Sequence, residues 1–366
     1  MKKSNSKIRV GITQGDINGI GYEVILKMLE DSRMAELCTV IIYGSAKIAA
    51  FYRKSEELPQ INLVQIESAS EARDGSFSII NVIGEDTKVE PGIATPTSGE
   101  AAFKALERAT ADLRAGEIDV MVTAPINKKN IQSDTFHFPG HTEYLEASLG
   151  DGDAKALMIL ASENIRVALV TAHVPLREVA PLITKEAVEA RIMQLHHSLC
   201  RDFGIPSPRI AVLALNPHSG EEGLLGTEEQ EHIAPAIEAA RNRKALCFGP
   251  YPADGFWGSD AYTHFDGVVA MYHDQGLAPF KALEMNEGVN FTAGLPFVRT
   301  SPDHGTAYDI AGKNQADPES MRQAVYMAID IFRNRRNHDD ITRNPLRKQY
   351  FEKGNDNVVL DLTKEE

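Results

Sequence analysis

Short apolar runs bounded by turn residues alternate with amphipathic stretches along almost the whole chain. Runs at residues 8–13, 38–43, 61–66, 120–123, 167–171, 210–215 and 267–271 show little polar alternation, which predicts strands covered on both faces. Between them, stretches such as 99–115 and 185–203 carry apolar residues at helical spacing. The alternation predicts an α/β fold: a largely parallel sheet with helices on both faces. No internal repeat or low-complexity tract interrupts it. From Arg335 onward the chain turns polar and mixed in charge, which predicts a loosely held tail.

Polar, chemically able residues stand where the apolar runs stop: Asp16, Lys128 after VMVTAP, His173 after VALVTA, His218 after IAVLALNP and His273 after VVAMY. Ligands in open parallel sheets bind outside the carboxyl ends of the strands. An active site is expected there.

Composition narrows the chemistry. The chain has 366 residues, enough for two domains, and 43% hydrophobic with 25% charged residues is the mix of a soluble protein. A net charge of -14 argues against a nucleic-acid partner, since phosphate backbones demand a basic surface. Cys38, Cys200 and Cys247 are odd in number and far apart, so neither a disulfide framework nor a cysteine-rich zinc site is expected. The start MKKSNSKIRVGIT has no signal-peptide segment, and no later run is long enough to span a bilayer. A cytoplasmic protein is expected, with no membrane partner.

A single histidine is more often structural than a ligand. His173, His218 and His273 occupy equivalent places, and neutral imidazoles from separate strands can build a three-ligand site with open positions, as catalytic zinc uses. Their spacing is no local metal motif, so the residues alone leave the question open. His196, His197, His232 and His338 read as ordinary helical or surface residues. His141, in FPGHTEYLEASLG, follows Pro139-Gly140 and precedes a helix that Thr142 is placed to cap. Helix N-termini attract anions, so His141 and Thr142 are candidates for holding an anionic group. Lys281, Asn290 and Arg299 offer a point charge, an amide and a planar fork for phosphate or carboxylate, though lysine or arginine taken singly is usually just solvated. Gly15, Gly19 and Gly21 do not fit the dinucleotide fingerprint. Gly220, Gly223 and Gly226 precede a second helix, where a phosphate loop and a simple mobile loop stay equally open. Asp254 and Asp274 are candidates for proton transfer or for orienting histidines, with turn capping the alternative.

The words GDINGIG, TAPINKK, FPGHTEYL, VALVTAHVPL, LNPHSGEEGLLGTEE, GPYPADGFW, AMYHDQGLAPFK, GVNFTAGLPFVRTSPDHGTAYDIAG and ADPES follow one another from residue 8 to about 333. In this the chain resembles the 4-hydroxythreonine-4-phosphate dehydrogenase family of the vitamin B6 pathway. The resemblance implies divalent-metal ligands (zinc, magnesium or cobalt) at His173, His218 and His273, and substrate contacts at His141, Thr142, Lys281, Asn290 and Arg299. Residues 304–318 are similar to the nucleotide loop of isocitrate and isopropylmalate dehydrogenases. That implies NAD or NADP held by His304, Gly305, Thr306 and Asp309, with Gly223 and Gly226. It also implies two αβα domains around a cleft: residues 1–128 with 288–366, and residues 129–287 carrying the metal ligands and a dimer interface. One histidine would cross that interface in a homodimer with a shared active site. The implied reaction is metal-dependent oxidation of 4-phosphohydroxy-L-threonine to a β-keto acid, which decarboxylates to 3-amino-2-oxopropyl phosphate. Gln14 and Ile17-Asn18 depart from the family's usual Pro and Pro-Ala and leave the nucleotide preference open. Alternatives are threonate or erythronate 4-phosphate as substrate, a zinc hydrolase or lyase, and a metal-binding protein without catalysis.

Overall fold

The computed structural model describes residues 6–150 and 155–345. Twelve strands among them form one sheet: β1 Ile8–Thr13, β2 Cys38–Gly44, β3 Leu63–Ile66, β4 Phe77–Asn81, β5 Val120–Thr123, β6 Leu157–Ala161, β7 Arg166–Leu169, β8 Arg209–Leu213, β9 Leu246–Tyr251, β10 Gly267–Ala270, β11 Val289–Ala293 and β12 Val298–Pro302. Their order is β3-β4-β2-β1-β5-β12-β11-β6-β7-β10-β8-β9. Every residue of β2 and of β10 is buried, as expected of strands covered on both faces.

The sheet is mostly parallel, but its two parallel blocks run in opposite directions. β11 is antiparallel to both β12 and β6, and β6 is antiparallel to β7. The carboxyl ends of β1 and β5 therefore point the opposite way from those of β7, β8 and β10. Asp16 and Lys128 do not share a rim with His173, His218 and His273, which corrects the expectation of one common carboxyl end. The seam between the blocks, β12-β11-β6, is where both sets can meet. Residue 288, the expected division of the chain, falls beside β11, which pairs with both sides.

Local chemistry explains the helix boundaries. The helix Pro96–Ala115 begins three residues before the expected 99. Thr95 and Ser98 form a reciprocal capping box, and Pro96 suits the first turn. It ends at Gly116, whose φ of 72° suits glycine. The last helix, Glu319–Thr342, carries regular structure past Arg335, where a loose tail was expected. Arg335 is buried, its Nε 2.6 Å from Asp202 Oδ1 and its Nη1 donating to the Leu295 carbonyl. Residues 346–366, the rest of that expected tail, lie outside the described residues. This helix covers one face of the seam, packing in one core with Val289, Phe291, Val298, Leu157 and Ile159. No helix among the described residues is long and apolar enough to cross a membrane.

Candidate active site

Strand side chains alternate between faces, so the seam presents a second set of residues away from the last helix. Register places Met158, Asn290, Thr292, Arg299 and Ser301 on that face, beside Thr123 of β5. Except for Thr292, they line a cavity of about 250 Å³ with Lys128, His141, Thr142, Glu143, His173 and His304. Lys128 comes from the first block and His173 from the second.

Arg299 is 4% exposed and donates to Thr123 Oγ1 and Thr292 Oγ1, each at 3.0 Å. Burial pushes its guanidinium down to about 10, and Glu143 acts in the opposite sense. It stays protonated at neutral pH without a carboxylate in direct contact. His141 opens the helix His141–Leu149. Burial first, then Arg299 and Lys128, hold its imidazole well below the ordinary value, so it is neutral. The helix N-cap is the extended Gly140 with no side-chain cap, so Thr142 lies within the first turn and is not the expected cap. Lys281 reaches the wall through Asp303, with Nζ 3.2 Å from Oδ2. Burial raises the Asp303 carboxyl and Lys281 pulls it back. Three buried polar atoms find no partner here: His141 Nε2, Asn290 Oδ1 and His304 Nε2. Orphaned buried polar atoms are rare, and three around one cavity fit a ligand that completes them.

The structure brings together two of the three candidate metal histidines. The His173 and His273 rings lie 6.0 Å apart between centroids. That separation suits two ligands of one ion whose nitrogens sit about 2.0–2.1 Å from the metal. His273 Nδ1 is 2.7 Å from Asp274 Oδ1, which leaves Nε2 free for a ligand, as in carboxylate–histidine–metal arrangements. Burial, then Lys128 and His273, favour the neutral form of His173. His218 is not with them. It is exposed, in a loop where His218, Ser219, Glu221 and Glu222 all have left-handed φ between 45° and 55°. Such conformations cost on the order of 1–3 kcal/mol each and persist only where the surroundings impose them. Glu229 does so by accepting from the backbone of Leu215 and Asn216. The loop is tied to β9 through Ser219 and the Pro250 carbonyl, and Asp254 starts the next helix, Ala253–Trp257, also exposed. Asp274 thus lies against His273, while the helix of Asp254 also reaches the His273 helix, where Trp257 Nε1 donates to the Gln275 carbonyl at 3.1 Å. No group of three or more His, Cys, Asp or Glu forms a metal cage among the described residues of one chain.

The expected nucleotide residues are likewise divided. His304 and Gly305 line the cavity. Thr306 packs on the turn after β1, where its carbonyl accepts from Ile20 at 3.0 Å; a Cβ on Gly19 would come 2.7 Å from that oxygen. Asp309 is exposed. Gly223 and Gly226 lie instead in the His218 loop, near Gln230 and Asn216 respectively. Asp16, 1% exposed, accepts from Ser98 Oγ, Asn130 Nδ2 and Tyr308 Oη, so the glycine-rich turn anchors the loop that carries His304 and Thr306.

Sequence reasoning missed Thr123, Glu143, Thr292, Ser301 and Asp303. A signal was present for several: polar residues at every second position of VNFTA and VRTSP mark a strand face turned to something polar.

Comparison with known proteins identifies the family of the chain. Residues 36–328 match the family model described as pyridoxal phosphate biosynthetic protein PdxA. A 4-hydroxythreonine-4-phosphate dehydrogenase of Bacteroides thetaiotaomicron is 59% identical over 98% of this chain and 98% of its own. An Oceanobacillus iheyensis protein named as a candidate D-threonate 4-phosphate dehydrogenase is 40% identical over 88% of this chain and 97% of its own. The crystal structure of 4-hydroxythreonine-4-phosphate dehydrogenase from Klebsiella pneumoniae superposes with a TM-score of 0.77 at 35% identity, covering 91% of this chain and 99% of that one.

Proposed function

The chain belongs to the PdxA family of pyridoxal phosphate biosynthetic proteins, and from that premise we propose that it is a nicotinamide-linked dehydrogenase acting on 4-phosphohydroxy-L-threonine. The secondary hydroxyl is oxidised, its hydride passes to NAD or NADP, and the resulting β-keto acid loses carbon dioxide to give 3-amino-2-oxopropyl phosphate. The observation that carries this reading is the anion cradle. Arg299 is a buried cation without a carboxylate in contact, beside His141 Nε2 and Asn290 Oδ1, both buried and unpartnered.

In this reading Arg299 and Lys128 bind the anionic ends of the substrate, and Thr142 and the first-turn N–H groups add donors. Neutral His141, Asn290 and Lys281 fix its orientation, which is a large part of any hydride-transfer rate. His304, Gly305, Thr306 and Asp309 hold the nicotinamide cofactor on the side anchored by Asp16. Gly223 and Gly226, carried by the His218 loop, would join that cofactor site only from a second subunit. His173 and His273, with a His218 supplied by a second copy of the chain, would hold a divalent cation: zinc, magnesium or cobalt. Such an ion lowers the pKa of a hydroxyl and stabilises negative charge. Asp274 orients His273, and Asp254 remains a candidate for proton transfer. Exposed Leu176, at 73%, and Leu224, at 80%, flank His173 and His218 and support a homodimer that covers them.

Two single-substrate assays test the reading. Purified protein with 4-phosphohydroxy-L-threonine and NAD or NADP should produce reduced-nicotinamide absorbance, and a chelator should abolish it. Absence of reduction with either cofactor would overturn the dehydrogenase reading; full activity in chelator would overturn the metal. Threonate or erythronate 4-phosphate as substrate is the second reading, favoured by the name of the Oceanobacillus relative. A zinc hydrolase or lyase finds no support among relatives named as dehydrogenases.

A further inference from the structure

We propose that Glu143 receives the ammonium group of the substrate, and so separates an amino-acid phosphate from its deaminated hydroxy-acid counterparts. The inference rests on the dehydrogenase reading above and deepens it.

The cavity walls carry two carboxylates, Glu143 and Asp303. Asp303 is already paired with Lys281 at 3.2 Å. Glu143 has no hydrogen bond or ion pair among the described residues, although it stands close enough to Arg299 and His173 to act on both. Its Oε2 lies over Gly140: a Cβ there would come 3.4 Å from Oε2 and 3.7 Å from Lys128 Cε. The bare glycine thus leaves open the space between the carboxylate and the lysine stem, on the cavity side of both.

An unpaired carboxylate is out of place in a pocket built only for anions. Beside the cationic Lys128 and Arg299 it would repel a phosphate or a carboxylate and weaken the cradle. It suits a substrate that is anionic at its ends and cationic between them. 4-Phosphohydroxy-L-threonine has that pattern: a phosphate, a carboxylate and an α-ammonium. Threonate and erythronate 4-phosphate carry a hydroxyl in place of the ammonium and would leave the half-buried Glu143 facing them without a counter-charge. A site that hydrogen-bonds a particular group rejects the analogue lacking it more strongly than a merely well-shaped pocket does.

The test compares kcat/KM for 4-phosphohydroxy-L-threonine and for threonate 4-phosphate in the wild type and in Glu143→Gln, which keeps the shape and removes the charge. Wild type should prefer the amino-acid phosphate. In E143Q its kcat/KM should fall by about 10- to 100-fold, the value of one charge-assisted hydrogen bond, while that for threonate 4-phosphate rises. Equal losses on both substrates would make Glu143 a structural residue and overturn the proposal. If E143Q does not fold, the wild-type comparison decides, and kcat/KM values within twofold for the two substrates overturn it. Wild type that reduces no nicotinamide with either substrate refutes the underlying dehydrogenase reading instead, so the two failures are distinguishable.

Discussion

Replacing Arg299 by methionine separates a binding role from a structural one, because the two predict opposite signs for stability. The guanidinium is pushed from its ordinary value down to about 10, mainly by burial. A cation with a depressed folded-state pKa keeps its proton at neutral pH at a cost to folding. At about 1.4 kcal/mol per pKa unit the cost is roughly 3 kcal/mol, fully present below the folded value. Arg299→Met relieves it but deprives Thr123 and Thr292 of a donor, which costs about 1 kcal/mol each. The net expectation for the ligand-free protein is a gain of about 1 kcal/mol, or a thermal midpoint higher by about 1–3 °C. In the same variant the KM for the phosphorylated substrate should rise by about 10- to 100-fold through lost charge-assisted hydrogen bonds, with the KM for the nicotinamide changing less than about twofold. Differential scanning fluorimetry and steady-state kinetics read both quantities. A midpoint lower by several degrees, with both KM values moving together, would show that Arg299 holds the seam together and does not bind substrate.

Other residues give independent expectations. His141 and His304 are both held below 6.5 by burial first. As pH falls through 6.5 the unfolded chain gains protons that the folded one refuses, so stability should drop by up to about 1.4 kcal/mol per pH unit for each. His141→Asn should flatten the decline between pH 7.5 and 5.5 seen in urea titrations; an unchanged slope contradicts the assignment. Arg335→Ala leaves Asp202, 3% exposed, without its ion-pair partner and should cost about 3–5 kcal/mol in urea unfolding. A loss under about 1 kcal/mol would mean that the end of the last helix is dispensable.

Much of the α/β framework was legible because β1, β2, β5 and β10 are short, apolar and free of alternation. The seam was not. Asn290, Thr292, Arg299 and Ser301 interrupt β11 and β12 with polar residues whose reason, a cavity floor for three of them and support of Arg299 for Thr292, exists only in three dimensions. The reversal of the second block was also hidden, because strand direction is decided by pairing between segments far apart in the chain, such as β11 with β6. The same reversal explains how far the strand-end reading of the site reached. His173 and His273 follow neighbouring parallel strands and do meet, whereas Lys128 reaches the cavity from the opposite block. Glu143 stood two residues from His141 on the same helical turn. A glutamate in a first helical turn has a commoner use, complementing the helix dipole, so its sequence position alone does not mark it as a site residue.

The proposed metal site takes His173 and His273 from one chain and His218 from another. It is tested by co-expressing His218→Ala and His173→Ala chains under different tags and isolating the mixed dimers. Each variant alone should be inactive, whereas a mixed dimer has one site with all three imidazoles and should show about half the wild-type activity and metal content. Mixed dimers as inactive as the parents would place the three ligands within one chain, or nowhere, and contradict the account.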